Sequence, residues 1–221
     1  MLTTTKSADA QYLKVLVYGP AGAGKTRLAA TVSKPLIISA EAGLLSLREF
    51  DLPVYAVKSM VDMEGAYQEA STGDYDWIVL DSISELSEVC LTEEKKKTDH
   101  GMRAYGEMGD IILSLLRAFR DLPRHVYFSA KQAKNKDEMT GAMLYGPSME
   151  GNKLTTNVPY LFDEVFALHT YKNDEGVIER SFQTERDNQY DAKDRSGALD
   201  FWEPADLGKI QTKILNEKDI K

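Results

Sequence analysis

Residues 14–32 decide the fold of this chain and read KVLVYGPAGAGKTRLAATV. Within them, residues 19–26 match the pattern G-x-x-x-x-G-K-[ST], which here follows an apolar run typical of a buried strand and precedes a segment typical of a helix. Three glycines let the backbone fold around an anion, so that successive N–H groups and the helix N-terminus point at it. The segment therefore predicts a strand, a phosphate-binding loop and a helix, in that order.

The same loop predicts ATP and Mg²⁺ as cofactors. In this pattern Lys25 is expected to reach the β- and γ-phosphates, and the hydroxyl of Thr26 is expected to bind Mg²⁺. The alternative interpretation is a glycine-rich turn with no ligand, which the strand and the helix on either side disfavour. The predicted nucleotide-binding residues are Gly19, Pro20, Ala21, Gly22, Ala23, Gly24, Lys25, Thr26 and Arg27.

The second part of the predicted site is an aspartate that ends the apolar run WIVLD at residues 77–81. Four apolar residues before Asp81 predict a buried strand, and Ser82 follows directly. Asp81 is expected to hold a magnesium-bound water, so Thr26 and Asp81 are the predicted metal residues. Asp81 also fits the N-cap of a helix that begins at SISEL, and the two roles are compatible.

Hydrolysis further requires a carboxylate that polarises the attacking water. Glu41 follows the predicted strand PLIISA and is therefore expected at the carboxyl edge of the sheet, where the phosphate loop also emerges. Glu85 is the competing candidate and ranks second, because a helix after the strand would carry it away from the γ-phosphate. A plain surface position for Glu41 stays open, since spacing alone does not place its strand beside the loop.

The order of apolar runs predicts the fold class. Short apolar runs alternate with amphipathic stretches up to about residue 130, which predicts an α/β fold with a mostly parallel central sheet flanked by helices. Residues 102–121 are predicted to form one long helix that stops before Pro123, and residues 131–160 are predicted to form a long loop. The segments FDEVFALHT, VIERSFQT and NQYDAK then predict an antiparallel C-terminal region, followed by a last helix over residues 204–217.

The composition limits the class of protein. The chain has 221 residues, of which 43% are hydrophobic and 28% charged, and residues 12–221 are predicted to form one domain. Residues 1–11 are expected to be a flexible or subunit-docking segment. One cysteine and three scattered histidines exclude an internal disulfide and a cysteine-based zinc site. A net charge of -8 argues against indiscriminate coating of nucleic acid, although it does not exclude a locally basic groove.

The sequence also predicts a location. No stretch has the roughly 18 to 20 apolar residues that a membrane-spanning helix needs, and the polar start MLTTTKSADAQ does not fit a secretory signal. We therefore expect no membrane partner and a cytoplasmic protein, in the host cytoplasm if the chain is encoded by a phage.

The order of motifs resembles the RecA-type ATPase core. GPAGAGKT is followed by a strand ending in glutamate (IISAE), then by LDS, then by a strand ending in a polar sensor (YFSAKQ). The resemblance covers most of the chain and is greatest to core-only RecA-like proteins of phages that act in recombination and single-strand annealing. It implies that Glu41 is the catalytic glutamate, that Asp81 with Ser82 forms the second nucleotide motif, and that Lys131 or Gln132 is the sensor.

The segment KDRSG at residues 193–197 resembles the K-N-R-x-G stretch of hexameric RecA-type helicases. In those proteins the lysine and the arginine reach the nucleotide of the neighbouring subunit. The resemblance implies that Lys193 and Arg195 are catalytic in trans, although Asp194 stands where the helicases carry asparagine. A cation supplied in this way stabilises the charge that develops on the transferred phosphoryl group. A charged hairpin end exposed to solvent is the alternative interpretation.

The resemblance also implies a path for DNA along two loops, near residues 93–103 and 131–153. Both segments are rich in lysine, and Met143 and Tyr145 are candidates for stacking against bases. Nearby acidic residues nearly cancel the first cluster, so a solvated helix end explains it equally well. The predicted DNA-binding residues are Arg103, Lys134, Lys136 and Lys153.

Together these features favour an oligomeric, Mg²⁺-dependent ATPase that acts on single-stranded DNA in recombination or annealing. Its expected partners are single-stranded DNA, further copies of the chain in a ring or a filament, and a single-strand-binding protein. The alternatives are a nucleotide switch or a motor subunit that engages a protein partner, and a P-loop kinase, for which no arginine-rich lid is found. The sequence does not distinguish annealing from strand exchange, or DNA from RNA.

Overall fold

The described part of the chain, residues 11–41 and 43–216 of a computed structural model, is built around one sheet. Six strands of this sheet are mutually parallel: β1 (Lys14–Gly19), β2 (Pro35–Ser39), β3 (Val54–Ala56), β4 (Trp77–Asp81), β5 (His125–Lys136) and β7 (Glu164–Lys172). The antiparallel strands are β6 (Met143–Ser148), β8 (Ile178–Gln183), β9 (Lys193–Asp194) and β10 (Trp202–Pro204). The strand order is β10-β8-β7-β1-β5-β4-β2-β3, with β6 on β5 and β9 on β7.

Helices cover the two faces of this sheet. The α-helices are α1 (Asp62–Thr72), α2 (Ile83–Lys97), α3 (Gly101–Arg120), α4 (Asn152–Asn157) and α5 (Leu207–Asn216). Shorter 3-10 helices span Thr26–Thr31, Leu44–Phe50 and Val158–Leu161. The side chains of α1 to α4 form one hydrophobic core with the sheet, and those of α5 and the first two 3-10 helices form a second core on the other face.

The central strands are apolar on both faces because both faces are covered. All five residues of β4 and all five of β2 are buried, so neither strand shows the alternation of a half-exposed strand. Helix α3 fits the predicted long helix to within one residue, and it buries Ile112, Leu116 and Phe119 against the sheet. The predicted α/β class is confirmed at the level of these elements.

The strand order identifies the fold. The phosphate-loop strand β1 lies between β5 and β7, and only β5 separates it from β4, which ends in Asp81. Strand β2, which precedes Glu41, is the next neighbour of β4. A mostly parallel sheet of this order, with helices on both faces and an antiparallel C-terminal region, is a RecA-like P-loop NTPase fold, as predicted.

The prediction of a long loop over residues 131–160 is wrong. Strand β5 continues to Lys136 and pairs antiparallel with β6, from Lys131 opposite Ser148 to Lys136 opposite Met143. The turn between them is closed by Asp137, whose carboxylate accepts the N–H groups of Met139 (2.8 Å) and Thr140 (3.3 Å). Gly141, with a φ of +73°, completes the reversal. Cross-strand hydrogen bonds, which leave no hydrophobic period, therefore order this segment.

Two smaller expectations also differ. The helix after the phosphate loop is a single 3-10 helix, Thr26–Thr31, because the chain becomes extended at Val32 before it enters β2. The segment NQYDAK forms no regular strand before Lys193; the carboxylate of Asp187 instead accepts the N–H groups of Gln189 and Tyr190 in a turn. The expected N-terminal segment, apart from Gln11, and the predicted helix end at Glu217 lie outside the described residues.

Among the helices within residues 11–41 and 43–216, none is both long enough and apolar enough to cross a bilayer.

Candidate functional site

The parallel strands bring three predicted site segments to one edge of the sheet, which we call the carboxyl edge. The phosphate loop follows β1, Asp81 ends β4 and Glu41 lies two residues after β2. Ser39 of β2 pairs in register with Asp81, so the chain after β2 leaves the sheet beside the end of β4. This edge is where ligands bind in open α/β sheets, because loops and helix N-termini converge there.

The phosphate loop has the backbone that anion binding requires. Gly22 and Gly24 have φ values of +77° and +102°, which residues with a Cβ rarely adopt. Within residues 11–41 and 43–216, the N–H groups of Gly22, Gly24 and Lys25 donate to no protein acceptor. Three donors in one tight turn are therefore available to phosphate oxygens.

Lys25 lies at the centre of the site. Its ammonium donates to the carbonyls of Gly19 (2.8 Å) and Pro20 (3.0 Å) within the loop. Burial lowers the pKa of Lys25, and the nearby positive charge of Lys131 lowers it further, whereas the negative charges of Asp81 and Glu41 oppose the shift. Lys25 is thus surrounded by the charged residues that the sequence assigned to one active site.

Asp81 and Thr26 form the candidate metal centre. The hydroxyl of Thr26 donates to Oδ2 of Asp81 at 2.7 Å, and the hydroxyl of Ser129 donates to the other carboxylate oxygen, Oδ1. The Asp81 side chain is buried, with 3% of the residue exposed. A hydroxyl and a carboxylate are the hard oxygen ligands that Mg²⁺ prefers, so these two residues fit the predicted ion.

Glu41 lies beside this centre and is linked to it through Ser82. The Ser82 hydroxyl donates to Oε1 of Glu41 at 2.5 Å, and the hydroxyl of Ser39 donates to the backbone carbonyl of Glu41 at 2.6 Å. Ser82 follows Asp81 directly, so the carboxylate of Glu41 is hydrogen-bonded to the residue next to the candidate metal ligand. Strands β5 and β4 separate β2 from β1, so the Glu41 strand does not lie beside the loop strand, and Glu41 reaches the site next to the end of β4.

Glu85 has different partners. It lies in the first turn of α2, and its carboxylate accepts a hydrogen bond from Lys131 at 3.0 Å. Glu88, one turn further, accepts from the same ammonium at 2.5 Å, and this bond is the main reason why the pKa of Lys131 is raised. Glu85 therefore holds the predicted sensor lysine, whereas Glu41 faces the metal candidate.

Lys131 is the better placed of the two sensor candidates. It pairs with Gly19 in the β1–β5 register, directly at the start of the phosphate loop, and its charge acts on Lys25. Gln132 is one residue further along the hairpin, opposite Pro147. The sensor role itself stays a prediction.

Three side chains at the carboxyl edge were not predicted from the sequence. Ser129 binds Asp81, and the hydroxyl of Tyr127 donates to the carbonyl of Lys25 at 2.9 Å. Polar groups within the apolar strand HVYFSA were the available signal for both residues. Arg180, from the distant strand β8, donates from Nε to the carbonyl of Ala23 at 2.7 Å. No local pattern marks Arg180, because only the pairing of β8 with β7 brings it to the loop.

Lys193 and Arg195 lie at the opposite, amino edge of the sheet. Strand β9 pairs with the first residues of β7, so that Lys193 is opposite Val165. The ammonium of Lys193 donates to the carbonyls of Pro159 (2.9 Å) and Phe162 (2.5 Å), and Arg195 approaches Asp163 at 3.5 Å. Neither side chain is near the phosphate loop of its own chain, so the predicted contact with a nucleotide is possible only between subunits.

The predicted DNA-binding residues do not form one cluster. Lys134 and Lys136 lie on the β5–β6 hairpin, which extends beyond the carboxyl edge, and neither forms a salt bridge with a described carboxylate. Lys153 pairs with Asp110 at 2.8 Å, and Arg103 is 3.8 Å from Glu107 on α3. All four side chains are exposed, and Lys134 and Lys136 are the two without a carboxylate partner among the described residues.

The proposed stacking residues are less exposed than expected. The ring of Tyr145 stacks on Tyr190, with centroids 4.6 Å apart and planes 15° from parallel. The ammonium of Lys134 lies 6.0 Å from the centroid of the same Tyr145 ring, and Met143 is half-buried. Tyr145 thus has aromatic and cationic contacts within its own chain.

Comparison with known proteins identifies a family. A family model described as an AAA domain (AAA_24) matches residues 11–196, and no curated protein sequence matches the chain. Among 189 matching chains of solved structures is a KaiC-like protein from Pyrococcus horikoshii, 11% identical, with 80% of this chain and 79% of that chain covered and a TM-score of 0.45. Because the family model spans the phosphate loop, Asp81 and most of the sheet, the chain belongs to this AAA domain family and has a P-loop NTPase fold.

Proposed function

We propose that this protein binds Mg²⁺-ATP at the carboxyl edge and hydrolyses it. The observation that carries the proposal is the 2.7 Å hydrogen bond between Thr26 and Asp81, with Lys25 and Glu41 close enough to act on each other's charge. Phosphoryl transfer to water needs a cation on the phosphates, two oxygen ligands for a metal ion, and a carboxylate that acts on the attacking water. The family and the fold support nucleotide binding, and this geometry supports hydrolysis.

Each residue has one expected action. The loop N–H groups and Lys25 bind the β- and γ-phosphates, and Thr26 and Asp81 hold the metal, which when bound neutralises charge on the phosphates. Glu41, fixed by Ser82, orients the attacking water and accepts its proton. Lys131, held by Glu85 and Glu88, is positioned to respond to the γ-phosphate.

We further propose that a neighbouring subunit completes the site. Lys193 and Arg195 lie at the amino edge of their own chain, so a ring or filament in which amino and carboxyl edges meet would bring them to a neighbour's nucleotide. A guanidinium supplied in this way stabilises the charge of the transition state and couples turnover to assembly.

The proposed nucleic acid is single-stranded DNA, in recombination or single-strand annealing, with a single-strand-binding protein as a further partner. The support comes from Lys134 and Lys136, which lie on the same hairpin that starts at Lys131 beside the phosphate loop. A cationic hairpin rooted at the nucleotide can change its grip on a phosphate backbone when the nucleotide changes.

One observation favours a second candidate, a nucleotide switch or motor subunit that engages a protein. Met139 at the tip of the hairpin is 97% exposed, and Leu144 on the same hairpin is 37% exposed. Exposed apolar side chains on a projecting hairpin are typical of a protein contact. On this alternative the hairpin reports the nucleotide state to a protein rather than to DNA.

The deciding experiment is steady-state ATP hydrolysis by the purified protein, with and without single-stranded DNA. Lys25→Ala removes the phosphate contacts and is expected to abolish turnover. Lys134→Ala/Lys136→Ala is expected to keep basal turnover and to weaken DNA binding about tenfold or more at low salt. Lys58→Ala/Lys209→Ala, which removes the same charge from exposed positions elsewhere, serves as the matched control.

The outcomes separate the candidates. Turnover that DNA stimulates, and that Lys25→Ala lacks, supports the DNA-dependent ATPase. Turnover without any DNA binding in the presence of a non-hydrolysable ATP analogue contradicts the DNA proposal and favours the protein-engaging switch. Turnover that survives in Lys25→Ala contradicts the assigned active site itself.

A further inference from the structure

Arg180 reaches the phosphate loop of its own chain because β7 is longer than β1. Tyr18 near the end of β1 pairs with Ala167, so β7 runs on past the carboxyl edge to Lys172. Strand β8 pairs with this overhang, and Arg180 lies opposite Thr170. Arg180 and Phe182 are two residues apart on β8 and therefore lie on the same face of the sheet. Phe182 belongs to the core beneath the phosphate loop. The register therefore directs the Arg180 side chain over the loop.

The contact between Arg180 and the loop is close. Its Nε donates to the carbonyl of Ala23 at 2.7 Å. A Cβ built on Gly24 would lie 2.6 Å from Nε, 3.2 Å from Cδ and 3.4 Å from Cζ of Arg180. Gly24 is required by its φ of +102°, and the Arg180 side chain lies directly over it. The guanidinium packs directly on a segment whose N–H groups are predicted to bind phosphate.

The charge of Arg180 is not neutralised within the described residues. Five arginines form a salt bridge with a carboxylate (Arg27, Arg103, Arg120, Arg186 and Arg195), whereas Arg48, Arg117, Arg124 and Arg180 form none among the described residues. Arg180 forms none there, and its one protein hydrogen bond uses Nε, which leaves the terminal nitrogens of the guanidinium available. A guanidinium has five N–H donors in a planar fork that matches phosphate oxygens.

We propose that Arg180 is a nucleotide-binding residue that contacts the polyphosphate of ATP in cis. The Nε of Arg180 anchors the side chain to Ala23, and its terminal nitrogens bind phosphate oxygens. They approach from the side of the loop opposite Asp81 and Glu41, the carboxylates whose charges act on Lys25. This inference rests on the proposed nucleotide site and adds a second cation to it. The site then contains its own arginine, independently of any guanidinium that a neighbouring subunit supplies.

The test is equilibrium binding of ATP, ADP and AMP to the full-length protein, wild type against Arg180→Gln, at two ionic strengths. The matched control is Lys172→Gln, which removes one exposed positive charge from the same hairpin. Lys172 lies on β7 opposite Ile178, which is two residues before Arg180 on β8. We expect Arg180→Gln to bind ATP at least about tenfold more weakly than wild type, which corresponds to about 1.4 kcal/mol. Its ATP affinity should also depend less steeply on ionic strength than that of wild type. The loss is expected to shrink from ATP to AMP, and Arg180→Lys should restore part of the affinity.

Two results would overturn the inference alone. In the first, wild type binds ATP and Arg180→Gln binds it as tightly as Lys172→Gln does. In the second, Arg180→Gln weakens ATP and AMP equally and lowers the melting temperature without nucleotide, which assigns Arg180 to holding the loop backbone only. If wild type and Lys172→Gln bind none of the three nucleotides, the proposed function fails, and the inference fails with it.

Discussion

The carboxyl and amino edges of the sheet carry similar cations in different surroundings. At each edge a lysine donates to two backbone carbonyls, and burial lowers its pKa: Lys25 at the carboxyl edge and Lys193 at the amino edge. Each edge also has an arginine, but Arg180 has no carboxylate partner within the described residues, whereas Arg195 approaches Asp163 at 3.5 Å. The difference shows that the type and spacing of residues do not define an active site without the groups that face them.

The acidic residues differ in the same way. At the carboxyl edge, the charges of Asp81 and Glu41 act on Lys25, and both carboxylates accept from hydroxyl groups, which suits a metal and a water. At the amino edge, Asp194 accepts hydrogen bonds from the N–H groups of Ser196 (2.7 Å) and Gly197 (3.1 Å) and so shapes the turn that presents Arg195. On the proposed function, the carboxyl edge binds the nucleotide and the amino edge presents Arg195 to a neighbouring subunit.

A cavity of about 530 Å³ lies at the amino edge, next to Arg195. It is lined by Tyr12, Lys14, Tyr160, Asp163 and the segment 120–123, among others. Tyr160 is 72% exposed there. On the proposal of shared sites, this surface lies beside the carboxyl edge of the neighbouring subunit.

The largest effect is expected for Arg195→Ala. Loss of a guanidinium that stabilises the transition state in trans should lower kcat by on the order of 1,000-fold, with ATP affinity kept. Arg186→Ala, which removes an exposed arginine paired with Asp191, should leave kcat unchanged. The measurement is steady-state hydrolysis with independent titration of ATP binding.

Mixing two inactive proteins sharpens this test. Lys25→Ala and Arg195→Ala subunits should recover partial activity when combined, because some interfaces then join an intact loop with an intact arginine. An active Arg195→Ala protein, or a mixture with no recovery despite co-assembly, would contradict the meeting of the two edges in one site.

The next largest effect is expected for Glu41→Gln. Removal of the carboxylate that accepts the proton from water should lower kcat by about 100-fold or more while ATP still binds. Glu85→Gln is the comparison, because the Glu85 carboxylate accepts from Lys131 and only its backbone N–H, which the substitution keeps, contacts Ser82. Its effect on kcat should be several-fold smaller. The opposite ranking in a single-turnover assay would assign the catalytic carboxylate to Glu85.

The smallest effect concerns stability at the amino edge. Burial, together with the neighbouring charges of Asp194 and Asp163, raises the pKa of Glu164 to about 9 from its ordinary value of 4.5. The folded protein therefore holds a proton that the unfolded chain releases, so the free energy of unfolding should fall as pH rises between these values. The slope from one proton is about 1.4 kcal/mol per pH unit.

Glu164→Gln keeps the shape of the side chain without its titration. Urea unfolding at pH 6, 7 and 8 should show a shallower decline for Glu164→Gln than for wild type, and Glu138→Gln at the exposed hairpin tip should behave as wild type does. Equal slopes in all three proteins would show that Glu164 is ionised in the fold.

Local patterns predicted much of the fold. The apolar runs at β1, β2 and β4 and the helical period of α3 are visible in the sequence because burial on both faces, or on one helix face, selects residue types directly. The β5–β6 hairpin was not predicted, because residues 131–148 are ordered by cross-strand hydrogen bonds and a turn at Asp137, which leave no hydrophobic period.

The sequence by itself determined the backbone of the predicted phosphate loop, since three closely spaced glycines, followed by a lysine and a threonine, act through local backbone geometry. Only the tertiary structure decided which distant residues meet that loop. The pairing of β2 with β4 brought Glu41 to Ser82, the overhang of β7 brought Arg180 to Ala23, and the pairing of β9 with β7 placed Arg195 at the far edge. Strand order and register depend on contacts between residues far apart in the chain, and no local spacing records them.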